Sequence, residues 1–440
     1  MGMTISQKIL ADHAGRKSVT PGDLMNVRVD MVMANDITAP LSIQEFLKLG
    51  VDTVFDPKKV ALVLSHFIPG KDIMSATQAK TTRDFARKHG TLFFDEAHGG
   101  IEHALLPEEG MVLPGDVYVG ADSHTTTPGA LAAFTCGMGS TDIAVAMATG
   151  EIWMKVPPTI RFVYHGTPGP WARGKDLILY TISRIGTDGA LYSSMQFEGE
   201  AIATVPMEGR LTMCNMVAEA GGKNGLMPFD AVTEAYVKPR AKRPWKVYEA
   251  DPDCEYSSTY EWDVSGLDSQ VAMPFSPGNV APVSELACKG IEIDQAFIGS
   301  CTNGRISDMR EAAAVLRGRH VAPWTRCIVI PATMKVYRQC LREGLIDLFT
   351  EAGCVVSTPT CGPCLGGYMG VLAEGERCVS TSNRNFPGRM GHPKAEVYLA
   401  SAPVAAASAV QGRIAHPAEL VRLEDVQAAI EGHSSPGRKP

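Results

Sequence analysis

The chain has 440 residues, 45% of them hydrophobic and 20% charged, with a formal net charge of −7. That length exceeds one ordinary core and predicts a globular protein of two or three domains. An acidic balance with scattered lysine and arginine argues against a polyanion-binding surface, so no nucleic acid is expected as a partner.

Along the chain, the opening stretch MGMTISQKILADHAGRK lacks the apolar centre of a signal peptide. Helical patterns then alternate with short β-branched runs, as in KKVALVLSHF, DVYVGADSH, PTIRFVYHG, DQAFIGSC, RCIVIPAT and CVVSTPT. Several of these predicted strands run into polar loops carrying Ser, Asp, His, Cys or Asn. Strand, polar loop, helix is the α/β pattern, and such sheets bind ligands at the carboxyl ends of their strands. Asn215 and Glu219 in TMCNMVAEAGG are four apart and would share one helix face. The small basic cluster KPRAKRPWK reads as a solvated loop.

Two proline-marked breaks, KVPPTI at Lys155–Ile160 and AMPFSPGNVAPVSE at Ala272–Glu285, read as linkers. They divide the chain into three α/β domains at 1–157, 158–278 and 279–425, leaving 426–440 as a tail expected to be disordered. The apolar run ASAPVAAASAV is too short and too rich in small residues to cross a bilayer. A cytoplasmic protein without a membrane partner is expected.

Eleven cysteines are present. Most sit singly in apolar or helical stretches and read as buried thiols of a reduced protein. Three lie instead in loops of Gly, Pro and Asn: Cys301 in GSCTNGRISDMREAA, and Cys361 and Cys364 in STPTCGPCLGGYMG. Cys301 ends a strand just before a helix predicted to begin near Ile306–Asp308, where amide dipoles favour a thiolate. A CxxC pair can be a redox dithiol, but CGPCLGGYMG is a poor start for a long helix. It can be half of a zinc site, but no second CxxC or HxxxH supplies the other half. Three thiolates without an obvious fourth suit an iron–sulfur cube with one iron open, and all three readings stand at this level.

The stretches GADSHTTTPGALAAFTCGMGSTD, FIGSCTNGRISDMREAA, PTCGPCLGGYMGVLAEGE and STSNRNFPGRMGHPKAEVYLASAPVAAASAVQGRI together resemble the aconitase superfamily, over about residues 35–414. Within it the resemblance is to the large subunits of isopropylmalate isomerase and homoaconitase. The resemblance implies three packed α/β domains around a cluster cleft, without the C-terminal swivel domain of fused aconitases. It implies a [4Fe–4S] cluster on Cys301, Cys361 and Cys364, one per chain, acting as a Lewis acid toward a malate-type hydroxy acid. It also implies catalytic roles for Asp122, His124, His66, His103 and Glu219, and substrate or hydrogen-bonding roles for Ser123, Asn215, Asn383, Arg384 and Arg389. Arginine forks suit such a substrate because they bind carboxylates bidentately.

The swivel domain, with a serine base and a further arginine, is then expected from a separate small subunit. The substrate expected is isopropylmalate, with homocitrate-type and methylated malates as alternatives. An RNA-binding apo-protein and a zinc or redox CxxC protein are the readings from other classes. One position departs from the family pattern: an Asp is usual before the first histidine, and this chain reads Ser65–His66. Serine brings no charge, so a less basic His66 is expected.

Overall fold

A computed structural model describes residues 2–430. The chain sorts into two compact units, one of Met1–Thr167 with Ile185–Ser265, the other of Pro168–Arg184 with Gly266 onward. Both are α/β.

The first unit holds a five-stranded, all-parallel sheet in the order Leu92–Phe94, Val60–Val63, Met31–Asn35, Val117–Gly120, Phe134–Gly137. Its three central strands, VALV, MVMAN and VYVG, are buried throughout. Continuous apolar runs of this kind are what a parallel sheet covered on both faces requires. The same unit holds a four-stranded parallel sheet in the order Asn224–Leu226, Ser194–Glu198, Thr159–His165, Ser258–Asp263. The second unit is built on seven strands. Val280–Pro282 and Gln270–Ala272 are antiparallel at one edge, followed by Glu396–Leu399, Arg377–Ser380, Gln295–Ile298, Arg326–Val329 and Val355–Val356, all parallel.

Several expectations shift at the boundaries. The KVPPTI break is a tight connection between strands Glu151–Lys155 and Thr159–His165, with Val156 fully buried, so it is no linker. AMPFSPGNVAPVSE carries strand Val280–Pro282 and the start of helix Val283–Ala287, both part of the second unit. Residues 168–184, placed by sequence in a middle domain, belong to the second unit. Residues 426–430, placed by sequence in the tail, are helical. Leu423–Ile430 is a helix whose Val426 packs with Trp171 and Ala314, and Arg310 donates to the Ile430 carbonyl at 2.7 Å. Residues 431–440 lie outside the described residues. No helix among those described is long and apolar enough to cross a membrane.

Two glycines hold the first unit's polar loop in place. A Cβ on Gly129 would overlap the Gly225 carbonyl, locking the 3₁₀ segment Ser123–Leu131 against strand Asn224–Leu226. A Cβ on Gly137 would lie 2.5 Å from the Asp122 carbonyl oxygen. Backbone carbonyls cannot swing aside as flexible side chains do, so Gly129→Ala is expected to cost about 3 kcal/mol. Urea unfolding of the variant measures it, and a loss under 1 kcal/mol would show that the strand yields.

Candidate functional site

Four neighbouring strands of the five-stranded sheet send their carboxyl ends into one polar cluster. Met31–Asn35 delivers Asn35 and Asp36, Val60–Val63 delivers Ser65 and His66, and Val117–Gly120 delivers Asp122 and His124. The loop after Leu92–Phe94 leads to helix Glu102–Glu108, whose first residues are Glu102 and His103.

Asp122 is the hub. Its Oδ1 accepts from His103 Nε2 at 2.8 Å and from the His124 backbone N–H at 2.8 Å, with His124 Nδ1 at 3.5 Å. Burial opposes ionisation, but the charges and hydrogen bonds of His103 and His124 hold its carboxyl well below the usual range. His124 Nε2 in turn donates to Glu219 Oε1 at 2.8 Å. The result is an alternating series, Glu219–His124–Asp122–His103, with both histidines and Glu219 buried. Because carboxylates only accept, each of these histidines carries its hydrogen on Nε2. A series of this kind orients imidazoles and moves protons.

Asn215 and Glu219 do not share one α-helix as the spacing suggested. Helix Met207–Asn215 ends at Asn215 and tightens into the 3₁₀ turn Met216–Ala220. Both side chains still reach the Ser123–Leu131 segment: Asn215 Nδ2 donates to Thr127 Oγ1 at 2.9 Å, and Glu219 meets His124. Thr127 Oγ1 donates to the His124 carbonyl at 2.6 Å, which fixes that residue from behind. Ser123 is exposed at the mouth of the loop.

His66 also corrects an expectation. Its Nδ1 meets Ser65 Oγ at 2.9 Å, but two carboxylates flank the same nitrogen, Asp36 Oδ1 at 3.8 Å and Glu102 Oε1 at 3.9 Å. The serine therefore does not leave His66 without negative charge nearby. Neither carboxylate was identified from the sequence as a site residue. Asp36 lies in the stretch MANDITAP and Glu102 immediately precedes His103, so adjacency in the motif was the only available signal.

In the second unit, Cys301 follows strand Gln295–Ile298, the Cys361–Cys364 pair follows Val355–Val356, and Asn383 follows Arg377–Ser380. All three cysteines are buried. Asn383 Nδ2 donates to Cys301 Sγ at 3.4 Å, and Arg389 Nη2 donates to Cys364 Sγ at 3.7 Å. Ser300 Oγ sits 3.8 Å from Cys301 Sγ and 3.4 Å from Cys364 Sγ. Ser300 holds φ at +78°, an unfavourable setting for a residue with a Cβ. Amide and guanidinium hydrogens aimed at buried sulfurs fit thiolates that ligate iron. Arg384 is half-buried in the same loop. By contrast, burial pushes the isolated Cys340 and Cys378 thiols up to about 12, as expected of packed, inert side chains.

Lys175 was missed, because GKDLILY at a helix start looks solvent-facing. It is fully buried, and its ammonium donates to the Thr381 carbonyl at 2.8 Å, the Ser382 carbonyl, and Asn303 Oδ1 at 3.3 Å. Burial pushes it down to about 8, while charge at Cys301, Asp308 and Cys364 opposes that fall. It ties the loop after Cys301 to the loop before Asn383.

The aconitase family model (aconitate hydratase) matches residues 7–412. The "3-isopropylmalate dehydratase large subunit" of Aquifex aeolicus is 63% identical over 429 residues, covering 96% of this chain and 99% of that protein. The protein of the same description from Hydrogenobaculum sp. is 60% identical, covering 96% and 99%. The "3-isopropylmalate dehydratase large subunit 1" of Pyrococcus furiosus is 57% identical, covering 96% and 100%.

Two measurements probe the second unit. Lys175→Met strands the Ser382 carbonyl and the Asn303 amide oxygen in the interior, at about 1–3 kcal/mol for each unsatisfied group, while the Thr381 carbonyl keeps its bond from the Thr302 hydroxyl at 2.6 Å. A loss of at least 2 kcal/mol in chemical denaturation is expected, and a neutral effect would refute the tie. Burial also raises Asp308 to about 7, partly opposed by Asn303 and Arg305. A carboxyl raised on folding contributes stability that is present below its unfolded value near 4 and lost as pH rises through the folded value. The stability of Asp308→Asn relative to the parent should therefore climb from pH 4 to 7 and level off above 7. A flat difference across that range would contradict the assignment.

Proposed function

Because the chain belongs to the aconitase family, we propose that it is the large subunit of a two-subunit hydro-lyase that converts 2-isopropylmalate to 3-isopropylmalate through the unsaturated acid, a step of leucine biosynthesis. The observation that carries this reading is the end-to-end match to large subunits so described, at 63% identity over 96% of the chain. An iron–sulfur cluster goes with the family. In this reading it is a [4Fe–4S] cluster held by Cys301, Cys361 and Cys364, supported by their burial and by the hydrogens aimed at Cys301 and Cys364.

When bound, the cluster supplies Lewis acidity that offsets the charge of a departing hydroxyl. The chain's own residues handle protons and carboxylates. Asp122 fixes His103 by its Nε2–H and His124 by its backbone N–H, and Glu219 fixes the His124 ring by its Nε2–H. That orientation suits the histidines to hold a proton for the leaving oxygen, a role His66 shares. Arg384 and Arg389 offer guanidinium forks to the substrate's carboxylates, and Ser123, Asn215 and Asn383 take substrate or hydrogen-bonding roles. Proton abstraction from carbon falls to a serine of the separate small subunit.

The test uses protein enriched in ⁵⁷Fe, assembled anaerobically with a small subunit and examined by Mössbauer spectroscopy with and without 2-isopropylmalate. One iron of the cluster should shift when the hydroxy acid is added, and Cys361→Ala should lower bound iron while leaving far-UV dichroism intact. A cluster that ignores 2-isopropylmalate but responds to another malate would reassign the substrate. Zinc, or a bare CxxC pair, in reconstituted protein would overturn the reading.

A further inference from the structure

His66 has a serine on its sequence-adjacent side, so any charge that supports its cationic form must come from elsewhere in the fold. Asp36 is buried, and its two oxygens collect three backbone N–H groups of the His66 loop. Oδ1 accepts from Ser65 at 2.9 Å and from His66 at 2.9 Å, and Oδ2 accepts from Phe67 at 2.8 Å. Oδ1 also takes the Ser65 hydroxyl at 3.5 Å, and that hydroxyl stands 2.9 Å from His66 Nδ1. Burial opposes its ionisation, but the His66 ring and these amides hold the Asp36 carboxyl below its ordinary value.

Glu102 approaches from helix Glu102–Glu108. It is wholly buried. Its Oε1 accepts from Asn35 Nδ2 at 2.9 Å and lies 3.9 Å from His66 Nδ1 and 3.5 Å from His103 Nε2. Its Oε2 has no hydrogen-bond partner among the described residues. Asp122 completes the surroundings: one ring nitrogen of His66 and one carboxylate oxygen each of Glu102 and Asp122 lie within 4.8 Å of one another. Nothing in the acid–base series Glu219–His124–Asp122–His103 requires Glu102, yet a carboxylate is rarely buried so completely without electrostatic work to do.

We infer that Asp36 and Glu102 are positioning residues that jointly supply the negative charge for His66, with the Ser65 hydroxyl as the hydrogen-bonded relay to Asp36. The assignment rests on the hydro-lyase reading only for what His66 does with its proton. Its geometry stands apart from that. Two carboxylates within 4 Å of one ring nitrogen, arriving from two different elements, share the support between them. An opposite charge at this range moves a titration by about one to three units.

The test is histidine-selective ¹⁵N NMR of the full-length, cluster-free chain, with the His66 resonances assigned by their loss in His66→Gln. Glu102→Gln and Asp36→Asn are each expected to lower the His66 midpoint by about one unit, a tenfold loss of proton affinity. Ser65→Ala, which keeps both charges, should lower it by less than either. Ser65→Asp should raise it by less than one unit, because two carboxylates are already present. If Asp36→Asn fails to fold because its amide no longer accepts all three backbone N–H groups, Glu102→Gln and Ser65→Asp decide the matter alone. A midpoint unmoved by Glu102→Gln, or a rise of two units or more in Ser65→Asp, would overturn the inference. The pH–rate profile of the assembled holoenzyme separates the two readings. If the NMR midpoint falls in Glu102→Gln but no limb of the profile follows, the charge assignment stands and the proposed role of His66 in dehydration fails.

Discussion

The first unit's chemistry depends on keeping one half-buried carboxylate charged. Asp122 ends a buried strand, so its ionised form must recover in hydrogen bonds what it loses in hydration. It does so by accepting from the His103 ring and the His124 backbone N–H, the latter also capping the 3₁₀ segment that carries His124. Fold and chemistry are thereby coupled. The bond that starts the segment also orients its histidine, and Gly137 leaves the room that the Asp122 backbone needs.

The second unit faces the converse requirement, keeping buried sulfurs and buried positive charge in balance. Lys175 is an expensive residue to place inside, and its ammonium is satisfied only because the Thr381 and Ser382 carbonyls and the Asn303 amide converge on it. Those partners lie in the two loops that also present Cys301 and Asn383. A solvated lysine would leave these loops free to relax. A satisfied buried one holds them in a single arrangement, and Ser300, at φ +78°, is held in a strained conformation within that arrangement.

Much of this was legible in the sequence because parallel α/β sheets place functional groups at strand ends, and strand ends are readable. The apolar runs before ADSH, LSHF and GSC were identifiable by composition, and each leads to a candidate site residue. Helix Ile306–Leu316 starts where expected. What stayed hidden depends on contacts distant in sequence. Lys175 meets loops about 130 and 200 residues away, and helix Leu423–Ile430 exists because Val426 finds Trp171. The Asn215–Glu219 spacing invited a single helix. The chain instead tightens after Asn215, and tertiary bonds to Thr127 and His124 override the local period.

The Ser65 position shows why motif adjacency misleads about electrostatics. Sequence reasoning assigns a histidine its nearest carboxylate along the chain, because that is the only distance it can measure. In a parallel sheet, the residue after one strand is as close to the ends of the neighbouring strands as to its own neighbour. Val60–Val63 lies beside Met31–Asn35, so Asp36 reaches the His66 loop with three backbone acceptances despite lying 30 residues earlier. Charge at such a site is a property of the sheet's carboxyl end rather than of any dipeptide. A substitution that removes one carboxylate from the motif changes how the negative charge is shared and leaves its presence intact.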